Sequence, residues 1–155
     1  MRQAASPVCV VTASVNGQRV ALTISSFQSV SADPPLVSIC INRQSRMHEA
    51  LTEARAFSVA MLAADQAHVA DTFAGRPQKG KAYDFSCVGW TCRGEGREPL
   101  MLGVTVAAEC IVVSTVELGS HCLFVAAVQD IVISEKLPLL YWNRAYCVPS
   151  TTRID

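Results

Sequence analysis

Asn16-Gly17 stands between two runs rich in β-branched residues, and no other dipeptide restricts the fold of this chain as much. A two-residue type I′ turn needs positive φ at both central positions, which Asn and Gly adopt most readily, and its twist matches paired strands. Val8 to Val15 and Gln18 to Ile24 are therefore expected as an antiparallel hairpin, with Val20, Leu22 and Ile24 on one face. Period-two patterning returns later. From Val104 to Val112 the even positions are Val, Val, Ala, Cys and Val, while the odd ones include Thr105 and Glu109, so one wall is expected buried. Cys122 to Ile133 is a longer run whose apolar parity slips near Gln129-Asp130, which predicts a β-bulge.

The remaining elements follow from punctuation. A Ser-rich connection leads to Asp33-Pro34-Pro35, then Leu36 to Ile41 reads as a strand, as do Ala56 to Leu62 and parts of Leu137 to Val148. Ser45 is placed to cap a short helix through about Arg55, and Asp65 to cap a second in which Val69 and Phe73 share a face. Residues 74–98 are the least apolar region and read as a long excursion. Many antiparallel strands with two helices suggest a closed or split β-barrel, because closure removes exposed edges. The 155 residues suit one domain, 1–155, with no internal repeat or linker.

Charge narrows the function classes. Thirteen basic residues balance thirteen acidic ones, so no basic excess exists to capture nucleic acid. Only 17% of residues are charged, against about 25% in ordinary soluble domains, so more surface than usual is expected to be covered, as in a subunit interface. The apolar stretches are too short to span a membrane, and the start lacks the apolar region of an export signal. Seven cysteines (9, 40, 87, 92, 110, 122 and 147) show no C-x-x-C and mostly sit in apolar runs, which suits buried free thiols in a reducing cytoplasm. Histidines 48, 68 and 121 lack zinc spacing, so no metal site is expected.

Some motifs fail on inspection. Gly75 to Lys81 follows the phosphate-loop pattern until Ala82 replaces the magnesium-binding hydroxyl, and it follows a helix rather than a strand. Gly94-Glu95-Gly96 lacks the third glycine of a dinucleotide fingerprint. Ser120-His121, if both on a strand, point to opposite faces and cannot pair as nucleophile and base.

Three clusters can carry chemistry. Leu22-Thr23-Ile24-Ser25-Ser26-Phe27-Gln28 puts hydroxyls and amides at the end of an apolar strand, which suits the polar edge of a flat heterocycle or, equally, a plain Ser-rich turn. Asn42-Arg43-Gln44-Ser45-Arg46-Met47-His48 combines a helix start with guanidinium groups, a phosphate site or an ordinary cap with solvated arginines. Gly119-Ser120-His121 and Tyr141-Trp142-Asn143-Arg144-Ala145-Tyr146 form the third, where packing explains the residues as readily as ligand contact.

Thr23 to Ser31 followed by Asp33-Pro34-Pro35-Leu36-Val37, with Ser45-Arg46, Phe73-Ala74-Gly75, Gly119-Ser120-His121 and Leu139-Leu140-Tyr141, resembles the short-chain flavin reductases of two-component monooxygenases, such as the hydroxyphenylacetate and chlorophenol systems. The resemblance runs in order through nearly the whole chain. It implies a mainly β fold, a six-stranded antiparallel Greek-key split barrel with a few short peripheral helices, and a homodimer whose interface covers outer-face residues such as Leu123, Val125 and Ala127. It implies NAD(P)H:flavin oxidoreductase activity, with NADH or NADPH as hydride donor and FMN or FAD as acceptor, and a partner oxygenase that uses the reduced flavin. Carried over by position, Thr23, Ser25, Ser26, Gln28, Cys40, Asn42, Gln44, Ser45, Arg46, Phe73 and Gly75 would bind flavin. His121, Tyr141, Trp142, Arg144 and Tyr146 would meet the nicotinamide nucleotide, with His121 catalytic. The chain departs from the family at Ser120, where an Asp is common, and at Met47, where a Thr is common. Alternatives on the same fold are a flavin-binding or storage protein, and an oxidoreductase with tightly bound FMN acting on an organic substrate.

Overall fold

A computed structural model describes residues 3–91, 94 and 97–150. The strands are β1 (Ser6–Pro7), β2 (Cys9–Val15), β3 (Gln18–Ile24), β4 (Gln28–Ala32), β5 (Pro35–Asn42), β6 (Ala56–Met61), β7 (Trp90–Thr91), β8 (Leu100–Met101), β9 (Val106–Leu118), β10 (His121–Ile133), β11 (Leu140–Trp142) and β12 (Ala145–Cys147). Two helices, α1 (Arg46–Ala54) and α2 (Ala67–Phe73), complete the regular structure with a 3₁₀ turn at Phe85–Cys87. The chain is thus mainly β with antiparallel pairing.

The hairpin forms at its expected turn: Val15 pairs with Gln18, and Asn16 and Gly17 take φ of 51° and 73°. It is one part of a seven-stranded sheet in the order β3-β2-β6-β9-β10-β5-β4. The seventh strand is β4, drawn from the stretch expected as a Ser-rich connection; it carries no apolar alternation and owes its conformation to pairing with β5. Near the opposite edge, β3 contributes Ile24 to the same core as Val37, Ile39 and Ile41 of β5, so the sheet curls and buries one face against itself. Phe57, Phe124 and Leu51 fill that core, and α1 inserts Met47, Ala50 and Leu51 into it.

β2 is buried on both faces. Cys9, Val11 and Ala13 enter the sheet core, while Val8 and Val10 enter a second cluster with Val69, Ala70 and Phe73 of α2, Leu100, Met101 and Leu139. The excursion after α2 returns Phe85 and Trp90 to that cluster. The bulge predicted in β10 is present as a register shift between Val128 and Asp130, joined by another between Val125 and Ala126.

Two expectations are corrected. Asp65 does not cap α2: the N-cap is Gln66, without a side-chain cap, and Asp65 instead pairs with Lys136 at 3.5 Å. Glu109, expected on the solvent wall of its strand, is buried, because Arg97 and Asp130 close over it in a charged cluster. Among the described residues Cys9, Cys40, Cys87, Cys110, Cys122 and Cys147 are free thiols. Burial pushes Cys9 and Cys110 up to about 12, which leaves them unreactive. Cys92, and Glu95 and Gly96 of the glycine motif, lie outside the described residues. No helix among those described is long and apolar enough to cross a membrane.

Candidate functional site

β3 is an edge strand, so beyond its partner β2 its outward N–H and C=O groups are free of the ladder. Three depressions that share residues of β3 make up a groove along it. In the middle the groove is lined by Leu22 to Ser26, by Cys40, Ile41 and Asn42 at the end of β5, and by His121 at the start of β10. The register explains this: Asn42 lies opposite His121, and Cys40 opposite Leu123. Toward α1 it widens to a cavity of about 520 Å³ between Arg19, Val20, Leu22, Ser45, Arg46, Tyr83 and Phe85. Toward the C-terminus it runs between Thr23, Ser25, Ala74, Arg76, Tyr141 and Tyr146.

Several hydroxyls assigned to flavin are already engaged. Ser26 Oγ donates to the Cys40 carbonyl at 2.9 Å and accepts from the Cys40 N–H at 3.1 Å, closing β3 onto β5. Thr23 Oγ1 donates to the Ala70 carbonyl at 2.7 Å and ties β3 to α2. Ser45 Oγ donates to the Asn42 carbonyl at 2.8 Å and accepts from the His48 N–H at 3.2 Å, so the expected cap forms. Asn42 Oδ1 accepts from the Gln44 N–H at 2.9 Å. Ser25 is exposed within the groove, and Arg46 projects as an exposed cation at its α1 end. Arg19 shares that cavity, its guanidinium 5.7 Å from the Trp90 ring centre and 6.0 Å from that of Phe85. Among the described residues, neither an aspartate nor a glutamate lines it.

Other assigned residues lie elsewhere. Phe73 is fully buried with its edge against Phe85 and Trp90, because its helix turns that face into the second core. Gly75 does not line the groove; φ is +73° and a Cβ there would stand 2.7 Å from the Tyr83 hydroxyl, so the glycine makes room for a residue that does. Gln28 is exposed on β4, outside the groove, and Gln44 lines a neighbouring depression with Asn42, Arg43, His48, Gly119 and Ser120. Trp142 and Arg144 are exposed on the terminal hairpin, while Tyr141 and Tyr146 meet edge to face at 5.6 Å. Arg43 is paired with Glu117 at 3.2 Å.

Ser120 and His121 do meet, with Oγ 2.9 Å from Nδ1. The strand rule fails because Ser120 is a turn residue and only His121 is in β10. Sequence reasoning also passed over Arg19, Tyr83, Asp71 and Arg76. Each comes to the groove through tertiary packing and carries no local signal. Burial, then the hydrogen bond to Asp71, push the Tyr146 phenol well above its ordinary value, so it stays a proton donor.

The comparisons agree in kind. Residues 1–150 match the family described as "Flavin reductase like domain". The chain is 31% identical over 143 residues to the reductase component of 4-hydroxyphenylacetate 3-monooxygenase from Thermus thermophilus, covering 92% of this chain and 87% of that protein. The solved NADH:FAD oxidoreductase SgcE6 of Streptomyces globisporus superposes with a TM-score of 0.84 at 30% identity, covering 96% of this chain and 88% of that one. Against the Rhizobium meliloti protein named "Probable flavin reductase" identity is 34% over 146 residues; this covers 94% of this chain but only 45% of that protein. The chain belongs to the flavin reductase like domain family.

Proposed function

We propose that this protein is an NAD(P)H:flavin oxidoreductase that passes hydride from NADH or NADPH to FMN or FAD and supplies reduced flavin to a flavin-dependent oxygenase. The observation that carries the reading is the groove along β3, apolar and hydroxyl-lined in the middle and bearing two cations, Arg19 and Arg46, at one end. A flat heterocycle with an anionic tail matches that gradient. The relatives' names support it: one is a monooxygenase reductase component and another an NADH:FAD oxidoreductase.

Flavin, when bound, supplies the hydride acceptor and does the redox chemistry itself. The chain's part is orientation and proximity. The outer edge of β3 around Thr23 to Ser25 would hold the ring edge, Ser26 would keep β3 and β5 at a set spacing, and Arg46 with Arg19 would hold phosphate. His121, steadied by Ser120 at Nδ1, would face the ring from β10 and hold or deliver a proton at Nε2. Tyr141 and Tyr146 would receive the nicotinamide nucleotide.

The finer architecture is part of the same reading. Without the edge strand β4, the curled sheet comprises six strands and serves as a split barrel, with residues 1–155 as one domain. Exposed Val113, Val116 and Leu118 on β9 and Ile131 to Ile133 on β10 support a homodimer that covers them, and the buried free thiols suit a reducing cytoplasm. The direct test is oxidation of NADH and NADPH at 340 nm with added FMN or FAD. Turnover with a diffusible flavin is expected; a protein that binds flavin but oxidises neither nucleotide is a storage protein instead.

A further inference from the structure

One carboxylate ties together three walls of the groove's C-terminal end. Asp71, half-buried on α2, accepts from the Tyr146 hydroxyl at 2.8 Å through Oδ1 and from the Gln78 amide at 3.3 Å through Oδ2. Its carbonyl accepts from the Arg76 N–H at 2.9 Å. Tyr146 and Arg76 line the groove, and Gln78 belongs to the loop that carries Arg76. The terminal hairpin needs such a tie. Its stem is anchored through backbone bonds at Leu137 and Leu139, and β11 pairs with β1, but among the described residues β12 pairs only with β11. The far side of the hairpin therefore depends on Tyr146, whose ring packs against the second core and whose hydroxyl reaches α2. Tyr141 in turn leans edge-on against Tyr146.

We propose that Asp71 is a positioning residue for the hydride donor: acting through Tyr146, it sets the Tyr141–Tyr146 wall at the separation from Thr23 and Ser25 that admits a nicotinamide nucleotide. This rests on the reductase reading. A carboxylate suits the task because it accepts from two donors at once and bonds a phenol more strongly than a neutral acceptor does. The phenol, held protonated, keeps the tie across the physiological range.

Steady-state kinetics with saturating FMN test it on Asp71→Ala, Asp71→Asn and Tyr146→Phe, with flavin affinity read by fluorescence and fold integrity by urea midpoint. Asp71→Ala and Tyr146→Phe are each expected to raise the KM for the nucleotide about tenfold, by more than kcat falls, while the flavin Kd moves less than twofold. The double variant is expected to be no worse than the worse single one, because both remove the same bond. Asp71→Asn, whose amide oxygen still accepts from the phenol, is expected to fall between. Should Asp71→Ala not fold, Tyr146→Phe and Asp71→Asn carry the test. A lowered urea midpoint with unmoved KM, or additive losses in the double variant, overturns the proposal. An unaltered protein that oxidises neither nucleotide overturns the reductase reading and this proposal with it, whereas an active enzyme with unmoved KM in every variant overturns this proposal alone.

Discussion

The two sides of the groove are built differently. One side is ladder: β3 is paired along its length with β2, β5 along its length with β10, and the core between them is enclosed by the sheet's own curl. The other side is assembled from α2, the excursion after it and the terminal hairpin, packed on the second core and tied by scattered backbone and side-chain bonds in place of a long ladder. These include Tyr146 to Asp71, Thr23 to Ala70, Ser58 to Pro99 at 2.9 Å, and Ser14 to Glu98 at 2.9 and 3.0 Å. A ladder holds a ligand's position to the precision of the sheet, because no residue can shift without breaking several bonds. A segment held at scattered points can change its length or charge between those points without disturbing a ladder. On the proposed reading the difference divides the tasks: flavin would lie against the ladder, and the nucleotide would be chosen at the appended wall.

Substitutions can break or sharpen this contrast. The largest effect belongs to the ladder's core. Phe57→Ala, at a fully buried position on central β6, is expected to cost about 3–5 kcal/mol in urea unfolding; an unchanged midpoint would remove the ladder's claim to be the stable half. Next comes the cation where ladder and helix meet. Arg46→Ala is expected to weaken FMN about 10- to 100-fold and riboflavin, which lacks the phosphate, less than twofold, since charge-assisted hydrogen bonds contribute about 1.5–3 kcal/mol. Equal weakening of the two ligands would mean that Arg46 does not hold phosphate.

Smaller effects follow. Ser26→Ala strips both partners from the half-buried Cys40 backbone and is expected to cost about 1–2 kcal/mol, read in the same denaturation assay. Glu98→Gln is the gentlest, because the amide can keep both bonds that join the excursion to Ser14 of β2. Burial outweighs the Ser14 hydrogen bonds and lifts the Glu98 carboxyl above its ordinary value. A carboxyl raised on folding favours the native state below its unfolded value and loses that contribution as pH rises through the folded one. The neutral amide can donate to Ser14 Oγ while accepting from its N–H, so the variant is expected to exceed the unaltered protein by roughly 0.5 kcal/mol near pH 8. That gap should close near pH 4; a constant gap would show that Glu98 does not titrate with folding.

Local signals located several elements, although the cap expected at Asp65 did not form. Asn16-Gly17 located a hairpin whose register the structure keeps, Ser45 located a helix start, and a parity slip located the bulge after Val128. Each signal lies within a few residues of its effect. β4 escaped because its alternation is polar and only β5 makes it a strand. Phe73 shows a different case: its spacing from Val69 already indicated a core face, and the structure buries its ring fully in the second core. The Asp71–Tyr146 tie joins positions 71 and 146 with no pattern in between, so nothing short of the fold displays it.

The pairing of Asn42 with His121 has a consequence in time rather than space. It joins stretches half a chain apart, and such distant contacts are slow to form because the intervening loop must close before pairing rewards it. The middle of the groove thus forms only once that long-range closure is made. A flavin that binds only the closed form draws chains toward it, by about 2.7 kcal/mol at a free concentration a hundredfold above Kd. The yield of folded protein during synthesis would then depend on how much flavin the cell holds.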